Sequence, residues 1–405
     1  MEKTSDIAGF YKLSQEDRIK VLADFMGIGR DSIPLPDSPR PLPLENSIGY
    51  YPINFGVANY FLIDRRDYFI PMATEEPSVV AAASNGAKIA RSGGGFKTGA
   101  GEQLMLAQVV LEDPKMDLNL AEFIDEINKI VESEMPSIVA AGGGLKDWQT
   151  EKMGKYLTVK LWVDVADSMG ANALDRLAES VAPIFESATG GRALLKVLSN
   201  RADRRLAWAE TSIPFDAIGG ESVARSIQEA TEFAFINEDR AVTHNKGIMN
   251  GVIALATATG NDTRAIEAAA HSYACRGGRY KPLSKWKVEG GLLRGRIDLP
   301  VPVGVIGGGV KSNELAAFSL KLLQVKRAVD LGRVMAAVGL AQNLAALRAL
   351  VTEGIQKGHM KLAARTVAMT AGATGDLIDR VADKMVQEGI IRVDIAKKIL
   401  EELRG

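Results

Sequence analysis

Residues 156–165 are the part of the chain that most constrains its fold. Every second residue there is apolar, namely Leu157, Val159, Leu161 and Val163. A period of two predicts a β-strand in a sheet with one buried face. Strands and helices alternate around it, with strands predicted over 103–111 and 193–198 and helices over 119–132 and 171–188. We therefore expect a small, ferredoxin-like α+β domain over residues 102–205.

This small domain is not expected to be a Rossmann fold. A Rossmann fold joins its first strand to its first helix through a Gly-x-Gly-x-x-Gly turn. No such run links the first strand and helix predicted here. A cofactor bound by this domain would therefore need a different phosphate-binding turn.

The segments on either side are expected to share one larger domain. The sequence predicts a strand over 54–63 and helices over 77–91, 223–235, 262–275 and 316–349. The last fifty or so residues are helical, with breaks at Gly372, Gly375 and Gly389. We predict an α+β fold: a large mixed domain from residues 1–101 and 206–352, and a mobile helical flap over 353–405.

Composition excludes several classes of protein. The 405 residues carry a formal net charge of -1, which is not the footprint of a nucleic-acid-binding protein. Cys275 is the single cysteine, so an internal disulfide is excluded and a reducing cytoplasm is expected. The apolar stretch 299–310 is too short to span a bilayer and the N-terminus lacks a signal-peptide pattern, so we expect no membrane partner.

Two adjacent carboxylates precede a proline in the run Glu75-Glu76-Pro77-Ser78. Proline is favoured at the first position of a helix, so the run predicts a loop that ends at Glu76 and a helix that begins at Pro77. A carboxylate held at such a junction is placed rigidly enough to act as an acid or a base. The alternative is that the carboxylates only cap the helix and interact with its dipole.

Lys246 and Asp262 each have a structural and a chemical interpretation. Lys246 precedes Gly247, and a lysine in a glycine-containing loop is usually a solvated surface charge. Asp262 follows Gly260 and Asn261 and is typical of a helix N-cap. Taken singly, neither residue decides between a surface role and catalysis.

Six blocks of sequence, taken in order, resemble hydroxymethylglutaryl-CoA reductase of the soluble bacterial class. The blocks are residues 45–49, 71–84, 167–172, 243–251, 258–262 and 354–360. The resemblance extends over nearly the whole chain. It implies the interconversion of hydroxymethylglutaryl-CoA with mevalonate plus CoA, by two hydride transfers with a nicotinamide cofactor and without a metal.

The resemblance implies a catalytic set of four residues. Lys246 would stabilise the negative charge that develops on the carbonyl oxygen at each hydride step. Glu76 would donate a proton, above all at the aldehyde step, and Asp262 would orient Lys246 and modulate Glu76. His359 would protonate the departing CoA thiolate, because an imidazolium gives up a proton near neutral pH.

The resemblance also implies residues that bind the substrate. The guanidinium of Arg240 would pair with the free carboxylate of the hydroxymethylglutaryl group. Ser78 and Asn250 would make further contacts with the substrate. CoA would be bound as part of the substrate and released as a product.

The cofactor motif implied by the resemblance comprises Asp167, Met169, Gly170, Ala171 and Asn172. Gly170 permits a close approach of the backbone to phosphates, and the helix N-terminus favours their charge. An acidic Asp167 near the adenine ribose would bond the 2′-hydroxyl and repel a 2′-phosphate. We therefore expect NAD(H), with NADP(H) as the alternative.

The resemblance implies an obligate homodimer in the cytoplasm, which can assemble further. The active site would lie at the dimer interface, with residues 45–49 and the Glu76 segment near the partner chain. The sequence leaves open whether the enzyme serves the synthesis or the degradation of mevalonate.

His271 and Cys275 form a competing constellation. They are four residues apart on a predicted helix and would share one face. A thiolate–histidine pair would make the protein a CoA-dependent acyltransferase with Cys275 as the nucleophile. A Cys275→Ala variant would lose activity in an acyltransferase and keep it in a reductase.

Overall fold

The computed structural model describes residues 4–33, 51–307, 310, 313–352 and 354–404, without the side chains of residues 11, 15 and 355–362. The strands within these residues are β1 Asn54–Ile63, β2 Arg66–Thr74, β3 Phe96–Glu112, β4 Gly144–Met153, β5 Tyr156–Asp164, β6 Arg192–Ser199, β7 Arg205–Pro214, β8 Ser284–Glu289 and β9 Leu292–Pro300. The predicted motif at 45–49 lies outside the described residues.

The helices in the same ranges vary from a single turn to 24 residues. They are α1 Gln15–Met26, α2 Val79–Arg91, α3 Ile124–Glu134, α4 Pro136–Ala140, α5 Ala171–Thr189, α6 Phe215–Ile218, α7 Glu221–Ile236, α8 Glu238–Ala258, α9 Thr263–Ala274, α10 Glu314–Leu323, α11 Ala328–Val351, α12 Ile355–Thr370, α13 Asp376–Glu388 and α14 Val393–Arg404. The α+β prediction is confirmed.

Strand β3 belongs to two parts of one branched sheet. Its residues 96–103 pair with β7, in a path ordered β2-β1-β3-β7-β9-β8. Its residues 104–112 pair with β5, and 106–112 pair with β6. The register shifts between Ala100 and Gln103, where the strand passes from one part to the other.

The ferredoxin-like prediction for the inserted region is confirmed. The chain runs β3-α3-β4-β5-α5-β6 there, apart from the short α4, and the strands lie in the antiparallel order β4-β5-β3-β6. The alternating apolar residues of β5 are all buried, as predicted. The sequence does not predict β4, because its largely exposed side chains show no apolar alternation.

Helix α11 forms the centre of the larger unit. It is 24 residues long, is buried on most sides, and packs against α2, α8 and β7. Gly86 of α2 permits this packing, because a Cβ there would collide with the carbonyl of Ala341. Among the described residues α11 is the one helix long and apolar enough to cross a bilayer, and 72% of its apolar window is buried in the fold.

The last three helices have a hydrophobic cluster of their own. Its buried members include Ala368, Val381 and Ile399. Gly372, Gly375 and Gly389 separate these helices with positive φ angles, so the predicted breaks are confirmed. The boundaries at 101, 205 and 352 and the mobility of the last unit stay predictions.

Two local predictions near the site are wrong. Helix α2 begins at Val79 rather than Pro77, because Ser78 adopts a left-handed φ of 76°. Lys246 lies in the middle of the 21-residue helix α8 rather than in a loop. Gly247 does not break that helix, since the apolar residues on its buried face hold it against the core.

Candidate active site

Glu76 and Lys246 form the pair at the centre of the candidate site. Lys246 Nζ donates a hydrogen bond to Glu76 Oε2 over 2.9 Å. Glu76 lies in the turn after β2, and α8 brings Lys246 to it by packing against β2. The two side chains are 35% and 61% exposed. An ion pair as exposed as this contributes little to stability and is accessible to a ligand.

The turn that carries Glu76 has a strained backbone. Ser78 has a φ of 76°, which is uncommon for a residue with a Cβ atom. The Glu76 N–H donates to Thr74 Oγ1 over 3.2 Å, and the Ser78 hydroxyl donates to the Pro77 carbonyl. Such strain costs roughly 1–3 kcal/mol and clusters at functional sites.

Helix α8 carries three of the predicted site residues. Lys246 and Asn250 are four residues apart and lie on one face. Arg240 lies in the first turn, and burial lowers the pKa of its guanidinium. No carboxylate among the described residues forms an ion pair with Arg240, which leaves the guanidinium available to a bound anion.

A buried polar network fixes the other side of α8. His244 is 1% exposed, and its Nε2 lies 2.7 Å from Ser284 Oγ and 3.1 Å from Asn343 Nδ2. Asn343 Oδ1 also accepts from Trp286 Nε1 over 2.7 Å. The network joins α8 to β8 and α11. On α8, His244 lies about 200° around the helix axis from Lys246.

Burial sets the protonation state of His244. It lowers the pKa of the imidazole to about 3, and the nearby Arg240 guanidinium acts in the same direction. His244 is therefore neutral near pH 7 and serves as a hydrogen-bonding group within the core.

Asp262 caps helix α9, as the sequence predicts. Its Oδ1 accepts from the N–H groups of Arg264 and Ala265 over 3.0 and 3.2 Å. The Arg264 guanidinium also bonds the carboxylate and lowers the pKa of Asp262, although burial acts in the opposite direction. Within the described chain its partners are at the start of α9, and a contact with Lys246 is not among them.

The predicted cofactor motif forms the turn between β5 and α5. Gly170 has a φ of 92°, and a Cβ there would lie 2.6 Å from Val165 Cγ1, so glycine is required. No side chain caps the first turn of α5 in the described part of the protein. The free N–H groups of Ala171 and Asn172 therefore fit a dinucleotide phosphate.

Asp167 has a structural hydrogen bond of its own. Its Oδ1 accepts from the N–H of Ala328, the first residue of α11, over 2.8 Å. Its main-chain carbonyl accepts from the N–H of Val305 over 2.9 Å. The other carboxylate oxygen, Oδ2, accepts no hydrogen bond from the residues that the structure describes.

The structure thus brings together Glu76 and Lys246, while Asp262 pairs with Arg264. His359 lies in α12, and its side chain is outside the described residues. No group of three His, Cys, Asp or Glu in the described ranges could hold a metal ion. A cavity of about 390 Å³ on β7, β8 and β9 is lined by none of the predicted site residues.

The competing His271–Cys275 constellation is not assembled. Cys275 is exposed at the C-terminal end of α9. His271 Nδ1 lies 2.7 Å from the hydroxyl of Tyr280, against which its ring also stacks. The imidazole is therefore oriented by Tyr280 and not by the thiol.

Sequence reasoning does not find the residues that support the site. His244 could have been found, because Ala241, His244, Ile248 and Val252 recur at helical spacing on the buried face of α8. Thr74 carries no such signal, because its bond to the Glu76 N–H depends on the conformation of the turn.

Comparison with known proteins identifies the family. The profile of the family described as "Hydroxymethylglutaryl-coenzyme A reductase" matches residues 39–364. The chain belongs to the hydroxymethylglutaryl-coenzyme A reductase family. It is 51% identical to the 3-hydroxy-3-methylglutaryl-coenzyme A reductase of Archaeoglobus fulgidus, over 99% of this chain and 95% of that protein.

Other members of the reductase family agree in sequence and fold. A probable reductase of Borreliella burgdorferi is 36% identical over 89% of this chain and 86% of its own. A reductase structure from Streptococcus pneumoniae is 35% identical, with a TM-score of 0.79 over 98% of this chain and 99% of that chain. A class II reductase structure from the same organism is 34% identical, with a TM-score of 0.79 over 85% of this chain and 99% of that chain. That structure is bound to NADPH in open conformations.

Membership of the reductase family decides between the two activities considered for this chain. The protein is a hydroxymethylglutaryl-CoA reductase, an oxidoreductase that uses a nicotinamide cofactor. The interpretation of Cys275 as the nucleophile of an acyltransferase is wrong, because the family match extends over most of the chain.

Proposed function

We propose that Glu76, Lys246, Asp262 and His359 catalyse the interconversion of hydroxymethylglutaryl-CoA with mevalonate and CoA. The observation that carries this proposal is the 2.9 Å contact between Lys246 Nζ and Glu76 Oε2 at an accessible position. The contact supports a site in which a charge stabiliser and a proton donor reach the same carbonyl oxygen.

Each of these residues has a distinct task in the reaction. Two reduced nicotinamides, bound in turn, would each supply one hydride, the first to the thioester and the second to the aldehyde. Lys246 donates to the carbonyl oxygen as negative charge develops on it, and so stabilises the thiohemiacetal anion. When the thiohemiacetal collapses to the aldehyde, the C–S bond breaks and His359 gives its proton to the CoA thiolate.

The second reduction ends with a proton transfer. As hydride adds to the aldehyde carbon, Glu76 protonates the oxygen and mevalonate is formed. Asp262 is proposed to orient Lys246 and to modulate Glu76 through its negative charge. Two hydrides and two protons are consumed for each mevalonate and CoA formed.

Arg240, Ser78 and Asn250 are proposed to bind the hydroxymethylglutaryl group. The guanidinium of Arg240, which has no carboxylate partner among the described residues, supports a bidentate contact with the free carboxylate of this group. Asn250 shares a helix face with Lys246, and Ser78 is two residues from Glu76. These positions support a substrate that lies along α8 with its thioester at the Glu76–Lys246 pair.

The loop with Asp167, Met169, Gly170, Ala171 and Asn172 is proposed to bind NAD(H) in preference to NADP(H). Free N–H groups at the start of α5 support phosphate binding. The carboxylate of Asp167 supports the choice of NAD(H), because it would repel a 2′-phosphate.

The assembly proposed is a cytoplasmic homodimer with the active site at the dimer interface, where residues 45–49 and the Glu76 segment would lie near the partner chain. The large domain would comprise 1–101 and 206–352, the cofactor domain 102–205 and the mobile flap 353–405. The separate hydrophobic clusters of the small and C-terminal regions support this division. Light scattering at micromolar concentration tests the dimer, and a monomer with full activity would contradict it.

Nicotinamide absorbance in both directions tests the proposed activity and cofactor. We expect oxidation of NADH with hydroxymethylglutaryl-CoA and reduction of NAD with mevalonate plus CoA. Asp167→Asn keeps an oxygen that can accept from Ala328 and removes the charge, so it should shift kcat/KM toward NADPH by about tenfold. A wild-type preference for NADP(H) would keep the reductase and contradict the role of Asp167.

A further inference from the structure

Arg205 is a buried cation without a carboxylate partner in the described part of the chain. It is the first residue of β7 and is 1% exposed. Burial lowers the pKa of Arg205 to about 10, while the charges of Asp164 and Asp167 act to raise it, so Arg205 is charged near pH 7. A buried guanidinium is costly unless hydrogen bonds replace its hydration.

Those hydrogen bonds go to main-chain carbonyls of two separate segments. Nη1 donates to Met169 O over 3.3 Å, and Nη2 donates to Ser168 O over 3.0 Å and to Val303 O over 2.7 Å. The first two carbonyls belong to the loop at the start of α5, and the third follows β9. Because a trans peptide places its N–H opposite its C=O, the bond to Met169 O turns the Gly170 N–H away from Arg205.

The segment after β9 continues the connection toward Asp262. The Gly304 N–H donates to Asn261 Oδ1 over 2.8 Å, and Asn261 precedes Asp262 in the chain. Gly304 also touches the cofactor loop, since a Cβ there would lie 2.7 Å from Met169 N. Direct contacts therefore connect the cofactor loop, through Arg205 and Gly304, to Asn261, the residue before Asp262.

We propose that Arg205 is a positioning residue that holds the cofactor loop at a fixed place relative to Asp262. This inference rests on the proposed function, because the cofactor role of the loop is part of it. Arg205 would act without touching substrate or cofactor. Its planar fork reaches carbonyls of two segments at once, and the single ammonium of a lysine cannot reproduce that geometry.

Arg205→Lys tests the proposal, because it keeps the charge and removes the fork. The Kd values of NADH and NADPH are measured by nicotinamide fluorescence, and the Kd of hydroxymethylglutaryl-CoA by calorimetry. We expect the Kd of the preferred nicotinamide to rise by about tenfold or more, while the Kd of hydroxymethylglutaryl-CoA stays within about twofold.

Arg204→Lys is the matched control. Arg204 is the adjacent arginine, and it pairs with Glu102 over 2.9 Å and with Asp147 over 2.6 Å instead of with the loop. Its substitution should leave both Kd values within about twofold of the wild type. An equal loss of nicotinamide binding in both variants would overturn the assignment to Arg205.

Gly304→Ala keeps the proposal testable if Arg205→Lys does not fold. The added Cβ would lie 2.7 Å from Met169 N and displace the loop while the guanidinium remains, so the same selective rise in nicotinamide Kd is expected. Folded variants with a lower melting temperature but wild-type nicotinamide Kd would overturn the inference. A wild-type protein that binds neither NADH nor NADPH would overturn the proposed function itself.

Discussion

The Glu76–Lys246 pair is exposed and joined by one hydrogen bond, whereas the loop over 167–170 is held from several sides. Its carbonyls accept from Arg205 and from Val305, and the carboxylate of Asp167 accepts from Ala328. In the proposed mechanism the pair presents side chains to a reacting carbonyl, and the loop presents backbone N–H groups to a phosphate.

This difference has a physical basis. A side chain on a fixed helix adjusts by rotating its χ angles, and the proposed mechanism requires this of Lys246 because the carbonyl oxygen changes position between the two reductions. A backbone N–H is oriented only if its peptide plane is fixed, and buried hydrogen bonds fix the planes of the loop. Substitutions should therefore affect chemistry in the first region, and both binding and stability in the second.

The largest effect is expected from Lys246→Ala. Loss of the ammonium should lower kcat by roughly 10²–10³-fold or more, because it removes the stabilisation of the developing oxyanion. The melting temperature should change little, because Lys246 is 61% exposed. Lys287→Ala is the control: Lys287 is 60% exposed, pairs with Glu289 and should be dispensable. Substantial activity in Lys246→Ala would remove the lysine from the mechanism.

The next largest effect is expected in the loop, from Gly170→Ala. The new Cβ meets Val165 and the φ of 92° is unfavourable, so the free energy of unfolding should fall by about 2–4 kcal/mol and nicotinamide binding should weaken. Gly154→Ala is the control, since its φ is 59° with no atom within 4 Å of the Cβ, and it should cost only about 1–2 kcal/mol. Denaturant unfolding measures both, and equal losses would contradict the steric argument.

His244→Gln tests the hydrogen-bond network that fixes the buried side of α8. Folded His244 stays neutral down to about pH 3, whereas the unfolded imidazole binds a proton below about pH 6.5. The wild type should therefore lose stability as the pH falls from 6.5, by up to about 1.4 kcal/mol per pH unit from this residue. In the glutamine variant this contribution to the pH dependence of the free energy of unfolding should disappear, as measured by denaturant unfolding between pH 8 and pH 5. If the pH dependence is the same in the variant and the wild type, His244 binds a proton in the folded protein as readily as in the unfolded one.

The smallest effect is expected from Asp67→Asn, at the start of the strand that leads to Glu76. Burial acts to raise the pKa of Asp67, but hydrogen bonds from Arg91 and Ser5 lower it overall. Its stabilisation is present above the unfolded pKa of about 3.9 and is lost as the pH falls through the folded value. The variant should lose about 1–2 kcal/mol at pH 7 and less at pH 3, with kcat unchanged.

Asp6→Asn is the control for Asp67, because Asp6 pairs with the same Arg91 but is 53% exposed against 18%. It should cost less than about 0.5 kcal/mol at pH 7. A larger loss from Asp6→Asn than from Asp67→Asn in thermal unfolding would contradict the assignment of the buried contact.

Local patterns predict much of the fold. The alternation in β5, the capping aspartate of α9 and the glycine breaks near the C-terminus each depend on a few adjacent residues. The start of α2 is not predicted, because the left-handed Ser78 is imposed by its surroundings against its own preference.

The site is predicted less completely than the fold. Glu76 and Lys246 are identified by resemblance, but their contact joins residues 170 positions apart, and no local pattern encodes it. Arg205 is not found because a buried arginine looks like any charged residue in sequence, and its three acceptors come from distant backbone. Contacts with backbone that is distant in sequence leave no local pattern from which they can be predicted.

A double-mutant cycle tests most directly whether Glu76 and Lys246 act as one catalytic unit. Glu76→Gln, Lys246→Met and the double variant are compared with the wild type in kcat for the reduction of hydroxymethylglutaryl-CoA. If the pair acts as a unit, the double variant should lose no more than about tenfold beyond the worse single variant. Losses that multiply would show that the two residues act independently and would contradict the account.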